Sequence, residues 1–411
     1  MDPRGGSMTP SPLIISDALE RVAPSPTIAM TQRGYELEAQ GADVVALAAG
    51  EPDFPMPSHV ADAAVEAIRQ GKTQYTTVDG IPELKAAVAD KFQRDNAVTY
   101  DPQTEITVTT GGKYVIYAAL GATLRPGDEV IVPAPYWVSY PDIVRLWRGE
   151  PVIADTSEDE GFILSPQALE TAITEKTRWL LWNTPSNPTG AVPSHAQLRA
   201  IADVLLRHPH VWVLADDIYE HITYDETFQS LVTIEPRLKD RTLTMNGASK
   251  AYSMTGLRIG FAGGPAPLIA AIRKLLSQST SNPCSISQWA AVAALQGDHS
   301  FLSERNAAFR QRRDFLLSVF AETPGVSCQK TEGAFYLYPS VQGLIGKRLG
   351  DRLLQTDKDV AEALLDEELV ALVPGSAFGK SPFLRLSYAA SMDDLEKAAA
   401  RMSRFCRRVM D

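Results

Sequence analysis

Cysteine is scarce: the 411-residue chain has three, Cys284, Cys328 and Cys406. An odd, widely spaced set offers neither a disulfide framework nor a CxxC metal site, so a reducing compartment is expected. Long apolar runs are lacking too, and Leu13-Ile14-Ile15 is too short even for a signal-peptide core. We therefore expect no membrane span and a cytoplasmic location. Positive charge is in deficit, with 39 Lys and Arg against 50 Asp and Glu and a net charge of −11. That balance argues against a nucleic-acid or anionic-membrane partner, because both need a basic surface. GxSxG, HExxH and Walker patterns are absent, which disfavours serine-hydrolase, zinc-protease and NTPase chemistry. His208-Pro209-His210 has no carboxylate or cysteine beside it and reads as an exposed loop, so no metal is expected. The basic runs Arg310–Arg313 and Arg404–Arg408 read as solvated helix faces.

What remains is the composition of an ordinary globular enzyme, long enough for two domains. Residues 1–15 read as a leader, with Met1 to Ser7 either a tag remnant or a disordered extension. A short helix from Ser16, an extended Ala23-Pro24-Ser25-Pro26 crossing, a helix over Ile28–Gln40 and a strand over Val44–Ala48 follow. Helical patterns cover Pro57–Gln70 and the stretch opened by Gly80-Ile81-Pro82. From Glu105 to Gly264, strand-like runs alternate with helical ones: Ile106–Thr110, Glu129–Val132, Val152–Ala154, Arg178–Trp182, Val211–Ala215, Thr242–Met245 and Ile259–Gly263. This alternation predicts an α/β domain whose mostly parallel sheet is covered by helices on both faces. A long helix over Phe301–Ala321 introduces a smaller α+β unit, with strands at Val326–Gln329, Ala334–Leu337, Val370–Val373 and Phe383–Tyr388 and helices near Asp357–Glu368 and from Met392. The expected division is residues 16–55 packing with the small domain, 56–300 forming the large domain, and 301–411 supplying the long helix and the rest of the small one.

Chemically marked residues collect at the carboxyl ends of the predicted strands, where open α/β sheets bind ligands. Lys250 follows Thr242–Met245 in a run of Gly, Ala, Ser and Met with no acidic neighbour. Either it snorkels from a strand end, or it is a desolvated amine whose lowered pKa frees a nucleophile able to form a Schiff base. Gly111-Gly112-Lys113 opens a helix and is either a plain turn or a phosphate cradle, to which Ser249 and Arg258 would add. Asp216 sits at a strand tip, as a ligand group or as a cap for the next turn. Trp137 is either core packing or a stacking platform. Asn187 lies in the rigid loop Asn183–Gly190, and Gly50 lies where the backbone can approach a ligand closely. Arg385, in the alternating strand Phe383–Tyr388, is either a surface residue or a bidentate carboxylate clamp.

Taken jointly, AAGEPDF (Ala48–Phe54), GGK (Gly111–Lys113), PAPYWVSYP (Pro133–Pro141), NTPSNPTG (Asn183–Gly190), DDIYEH (Asp216–His221), SKAYSMTGLRIG (Ser249–Gly260), EGAFYLYP (Glu332–Pro339) and FLRLSYA (Phe383–Ala389) resemble the class I, fold-type I pyridoxal-phosphate aminotransferases. The similarity is greatest to the bacterial branch of aspartate and prephenate aminotransferases, and it runs from Ser16 to Cys406. It implies a seven-stranded, mostly parallel sheet between helices, a smaller α+β domain built from both termini, and pyridoxal 5'-phosphate as cofactor. Lys250 becomes the Schiff-base lysine and proton shuttle, and Asp216 the partner of the ring nitrogen. Asn187 and Tyr219 bind the ring's phenolic oxygen and Trp137 stacks on the ring. Gly111, Gly112, Ser249 and Arg258 hold the phosphate, with Tyr75 reaching in from a second subunit of a homodimer. Arg385 clamps the substrate α-carboxylate with help from Asn187 and the Gly50 backbone, and Lys113 meets a distal carboxylate. The catalytic set implied is Lys250, Asp216 and Tyr219. The implied reaction moves an amino group from an L-amino acid, aspartate first, to 2-oxoglutarate in a ping-pong cycle.

Four positions depart from the family pattern. Ala23 stands where lysine is common, Tyr114 replaces a glutamine, Ala118 an asparagine, and Leu257 the tryptophan before Arg258. Losing a cation at position 23 weakens recognition of a second negative charge such as prephenate carries, and the other changes alter volume near the site. A broadened or aromatic donor is the alternative within this class. A carbon–sulfur lyase on the same scaffold would keep every cofactor residue.

Overall fold

The computed structural model describes residues 14–24 and 26–411; the expected leader, Ile14 and Ile15 excepted, and Ser25 lie outside the described residues. The chain opens with helix α1 (Asp17–Glu20), helix α2 (Pro26–Ala39) and a two-residue strand β1 (Val45–Ala46). Helices α3 (Ser58–Arg69) and α4 (Pro82–Asn96) follow, α4 starting on Pro82, whose missing N–H costs nothing in a first turn. The α/β part then runs β2 (Ile106–Thr110), α5 (Gly112–Thr123), β3 (Glu129–Ala134), α6 (Ser139–Leu146), β4 (Glu150–Asp155), α7 (Pro166–Ala172) and β5 (Thr177–Asn183). It continues through α8 (His195–Arg207), β6 (Trp212–Asp216), α9 (Leu231–Ile234), β7 (Thr242–Gly247) and β8 (Ile259–Gly263). Helix α8 begins where the sequence marks it, at a capping box in which the Ser194 side chain and Gln197 satisfy each other's backbone amides.

These strands form one seven-stranded sheet in the order β2-β8-β7-β6-β5-β3-β4. β8 runs antiparallel to both neighbours and the remaining pairs are parallel. Alternate residues feed two cores. Val130, Val132, Leu214 and Leu243 pack under α5, α6 and α10 (Ala266–Leu276), whereas Ile131, Val213 and Ala215 pack under α8. Burial on both faces explains why the strands read as continuous apolar runs. Helix α11 (Ser285–Gln296) joins α3 and α4 over β2 and β8.

Beyond α12 (Phe301–Ala321) come β9 (Tyr336–Leu337), the small hairpin β10 (Arg348–Leu349) and β11 (Arg352–Leu353), α13 (Asp357–Glu368), β12 (Val370–Ala371), β13 (Val373–Pro374), β14 (Leu384–Ser387) and α14 (Met392–Met410). β13, β14 and β9 make an antiparallel sheet, while β1 pairs in parallel with β12 through Val45 and Val370. Val45 and Leu47 share a core with Phe309, Phe335, Leu364 and Phe405.

Several expectations are corrected. The run Val370–Val373 is two strands, because β12 serves β1 and β13 serves β14, with Leu372 between them. Val326–Gln329 forms no strand: one bridge joins Ser327 to Ser340, and no continuous strand lies alongside to extend it. Arg312 and Arg313 are buried rather than solvated. Arg312 makes a two-pronged pair with Asp53 at 2.8 Å per contact, and Arg313 donates to the Thr331 carbonyl at 2.6 Å. Arg404 and Arg408 are exposed but clamp the buried Glu368. His208 does have a carboxylate partner, since Glu170 on α7 reaches its Nε2 at 2.7 Å.

Gly260 is where β8 meets the start of α5. A Cβ there would lie 2.3 Å from the Gly112 nitrogen. Gly260→Ala is expected to cost about 1–3 kcal/mol by overpacking and to push the α5 N-terminus out of place. A urea midpoint unchanged from the parent protein would contradict this.

Candidate active site

β5 and β6 end level with one another, Asn183 opposite Asp216, and Asp216 stands opposite Met245, two residues before β7 ends. Beyond these ends lies a cavity of about 490 Å³. At its wall the Lys250 Nζ donates to the Gly50 carbonyl at 2.5 Å. Among the described residues no carboxylate pairs with this amine. Burial, reinforced by the Arg385 charge and resisted by Glu51, pulls the Lys250 pKa down to about 8. Roughly one amine in ten is then neutral at pH 7, against fewer than about one in a thousand for an ordinary lysine. Lys250 is thus a half-buried, desolvated amine facing the cavity rather than a snorkelling side chain.

Asp216 ends β6 and is buried. Its Oδ2 accepts from the Tyr140 hydroxyl at 2.6 Å, and its Oδ1 faces the Ile218 amide at a weak 3.4 Å, a trace of the cap reading. Burial raises its pKa to about 6, opposed by the Tyr140 hydrogen bond, the Ile218 amide and the Lys250 charge. The Tyr219 hydroxyl lies 2.8 Å from that of Tyr336.

At another side of the cavity α5 begins. Gly111 adopts φ +84°, and a Cβ on it would lie 2.1 Å from Nη2 of Arg258, so only glycine lets this guanidinium rest against the helix start. Arg258 itself is left-handed at φ +56° and donates to the Thr255 carbonyl at 2.7 Å. With Ser249 and the first amides of α5, it forms a cradle suited to an anion.

Arg385 is 2% exposed, which excludes the surface reading. Nη2 donates to the Ala48 carbonyl at 2.5 Å and Nη1 to Asn187 Oδ1 at 3.2 Å, while the buried Nε has no partner. The guanidinium also lies 4.8 Å from the Tyr336 ring centre and 5.0 Å from that of Phe378. A buried cation lacking a carboxylate is costly unless it is completed by an anionic ligand. Lys113 is likewise without an ion-pair partner among the described residues. It is exposed at the cavity rim, unlike Arg385; its Nζ sits 4.8 Å from the Trp137 ring centre, and partial desolvation with the Arg258 charge lowers its pKa.

The cavity therefore gathers Gly50, Gly112, Lys113, Trp137, Asn187, Asp216, Tyr219, Ser249, Lys250, Arg258 and Arg385. Tyr75 is absent from it and 91% exposed. Reading the sequence missed Tyr140 and Tyr336. Both stand inside the quoted motifs, but their hydroxyl partners lie 76 and 117 residues away. Among the described residues one group has metal-ligand spacing, Asp95, Glu220 and His221, and the buried Lys91 ammonium already pairs with Glu220 there.

An α/β protein with a ligand cavity beyond the carboxyl ends of its parallel strands, a half-buried lysine at its wall, is what this sheet and this cavity define. The family model for aminotransferase class I and II matches residues 42–402, and the chain belongs to that family. It is a transaminase of the branch to which the motifs pointed. The aspartate/prephenate aminotransferase of Cereibacter sphaeroides is 53% identical over 394 residues, covering 95% of this chain and 98% of that one. The crystal structure of aspartate aminotransferase from Rhizobium meliloti superposes with a TM-score of 0.94 at 48% identity, over 97% of this chain and 100% of that one. The Thermus thermophilus aspartate aminotransferase with maleate gives a TM-score of 0.90 at 41% identity, over 95% and 99%. Among the described residues no helix is long and apolar enough to cross a membrane.

Proposed function

We propose that the protein transfers the amino group of L-aspartate to 2-oxoglutarate in a ping-pong cycle, using pyridoxal 5'-phosphate in a cytoplasmic homodimer. The observation that carries this reading is the pair of cations, Arg385 and Lys113, that have no carboxylate partner among the described residues and border the cavity that holds Lys250. Two such cations suit a dicarboxylate.

The residues fit the cofactor. The glycine-lined helix start with Ser249 and Arg258 suits its phosphate, and the buried Asp216 carboxylate suits its protonated ring nitrogen. When bound, the cofactor supplies an electrophilic carbon and a ring able to delocalise the electron pair left at the substrate α-carbon. Asp216 would hold the proton on the cofactor's ring nitrogen. Tyr219 and Asn187 would donate to its phenolic oxygen, and Trp137 would stack on its ring. Arg385 fixes the α-carboxylate, with the Gly50 backbone beside it, and so aims the α-hydrogen at the Lys250 amine, which takes the proton and returns it. Tyr75, exposed and outside its own cleft, reaches the cleft of a second copy. The same reading takes residues 56–300 as the cofactor domain and residues 16–55 with 301–411 as the smaller one, a division supported by the Val45–Val370 pairing.

A second cavity of about 510 Å³ favours an additional reading. It is lined by Ala23, Pro24, Tyr114, Tyr117 and Tyr136, and Lys113 borders both cavities. An aromatic side chain passing Lys113 would find room and ring partners there, which extends the donor range to aromatic amino acids.

A donor panel against 2-oxoglutarate separates these readings. L-aspartate is expected to show the highest kcat/KM. Lys113→Ala is expected to raise the aspartate KM by about 10- to 100-fold, the worth of a charge-assisted hydrogen bond, while leaving an aromatic donor within about threefold. An equal effect on both donors would remove Lys113 from distal-carboxylate binding. Pyruvate and ammonia released from a β-substituted donor, without transfer from aspartate, would indicate elimination instead.

A further inference from the structure

We infer that Tyr140 is a positioning residue of this transaminase, its hydroxyl holding the Asp216 side chain as a carboxylate aimed at the cofactor nitrogen. The inference rests on the role given to Asp216 above.

The geometry is specific. Tyr140 is 3% exposed, sits in the first turn of α6, and donates to Asp216 Oδ2 at 2.6 Å. Its ring is fixed edge-on to Trp137, 5.4 Å between centres, so the side chain placed against the cofactor face and the one bonded to Asp216 are packed as a unit. The hydroxyl has one strong acceptor, and a phenol so placed is a donor, because burial beside Asp216 drives its own pKa well above 10.

Few other groups are able to do this. On its own strand and the turn after it, Asp216 is faced by Asp217 and Tyr219. Asp217 is itself buried and pushed strongly toward its neutral form, and the Tyr219 hydroxyl is engaged with Tyr336. From the segment after β7 comes Lys250, which faces Asp216 by charge without a hydrogen bond. β5 contributes only neutral contacts, Asn183 Nδ2 at 2.8 Å and the Thr184 amide at 3.3 Å, both to the Asp216 backbone carbonyl, and Met245 on β7 has no charge. With the Ile218 amide at 3.4 Å, Tyr140 supplies the one short hydrogen bond to the carboxylate among the described residues. Its removal leaves a buried charge with weak support, and the carboxyl then keeps its proton to higher pH.

The sign follows. A protonated Asp216 cannot hold a protonated ring nitrogen, so cofactor affinity falls as pH drops through the Asp216 titration. Tyr140→Phe, which keeps the ring and its packing, is expected to move the acid limb of pyridoxal-phosphate affinity upward by about one to two pH units, the equivalent of one charged hydrogen bond. The dissociation constant near pH 7 is expected to rise by about tenfold, and Tyr140→His, which restores a donor, to recover part of the shift. The measurement is equilibrium binding of pyridoxal phosphate to the full-length protein by fluorescence from pH 5 to 9, beside Asp216→Asn. An acid limb unmoved in Tyr140→Phe, with affinity lowered in Asp216→Asn, overturns the inference alone. Unchanged affinity in Asp216→Asn overturns the underlying reading of Asp216. Infrared spectroscopy of the unmodified protein decides the case even if Tyr140→Phe does not fold. The carbonyl band of protonated Asp216, assigned by its loss in Asp216→Asn, should fade above about pH 6, and its persistence at pH 8 overturns the inference.

Discussion

Lys250→Ala should lower kcat by at least about 10⁴-fold, the upper range for loss of a positioned general acid–base group, and should abolish the cofactor absorbance that depends on a covalent lysine link. The loss is expected to be this large because no second amine is placed to substitute. Lys113 stands over Trp137, and the delocalised guanidinium groups of Arg258 and Arg385 are not amines that can form an imine link. The environment also tunes the amine. Burial and the neighbouring Arg385 charge bring Lys250 to about 8, so in the cofactor-free protein the free amine should titrate near that value, a step lost on substitution. Exogenous alkylamines should restore part of the proton transfer in Lys250→Ala but none of the covalent link. Turnover within about tenfold of the parent enzyme would remove Lys250 from the mechanism.

Arg385→Leu is expected to lower kcat/KM for every amino-acid donor by about 10²- to 10³-fold, the cost of truncating one member of a buried charged pair. The effect should not depend on the donor's side chain, because the α-carboxylate is common to all of them. This separates Arg385 from Lys113, whose loss is expected to be selective for acidic donors. Arg385→Lys should recover little: an ammonium keeps the charge but cannot reach the Ala48 carbonyl and Asn187 while offering a parallel pair of donors. Folding should survive, since leucine removes a buried charge that has no carboxylate partner among the described residues. Initial rates with aspartate and with an aromatic donor, beside thermal denaturation, test both points. A loss confined to aspartate would move Arg385 to the distal site.

How much of this was legible in the sequence depends on how far apart the partners are. The sheet was read nearly whole, because strands buried on both faces announce themselves as apolar runs and their helices carry local stop and start signals such as the Ser194–Gln197 box. Lys250, Asp216 and the Gly111-Gly112 pair stood out because each follows a strand end. Partners distant in the chain did not. The buried pair of Arg312 with Asp53 spans 259 residues, and three clustered arginines on a helix look solvated until that carboxylate is brought in. Glu170 is 38 residues from His208, and Tyr140 is 76 from Asp216. The split of Val370–Val373 was equally invisible, because an apolar run carries no mark of two sheets sharing it.

Reduction of the pyridoxal-phosphate-loaded protein with borohydride, followed by proteolysis and mass spectrometry, puts the central claim to its most direct test. The reduced cofactor should be found on one peptide, fixed to the Nζ of Lys250, in a protein whose colour the reagent discharges. A colourless protein that takes up no cofactor, or a label on another lysine with Lys250 unmodified, would contradict it.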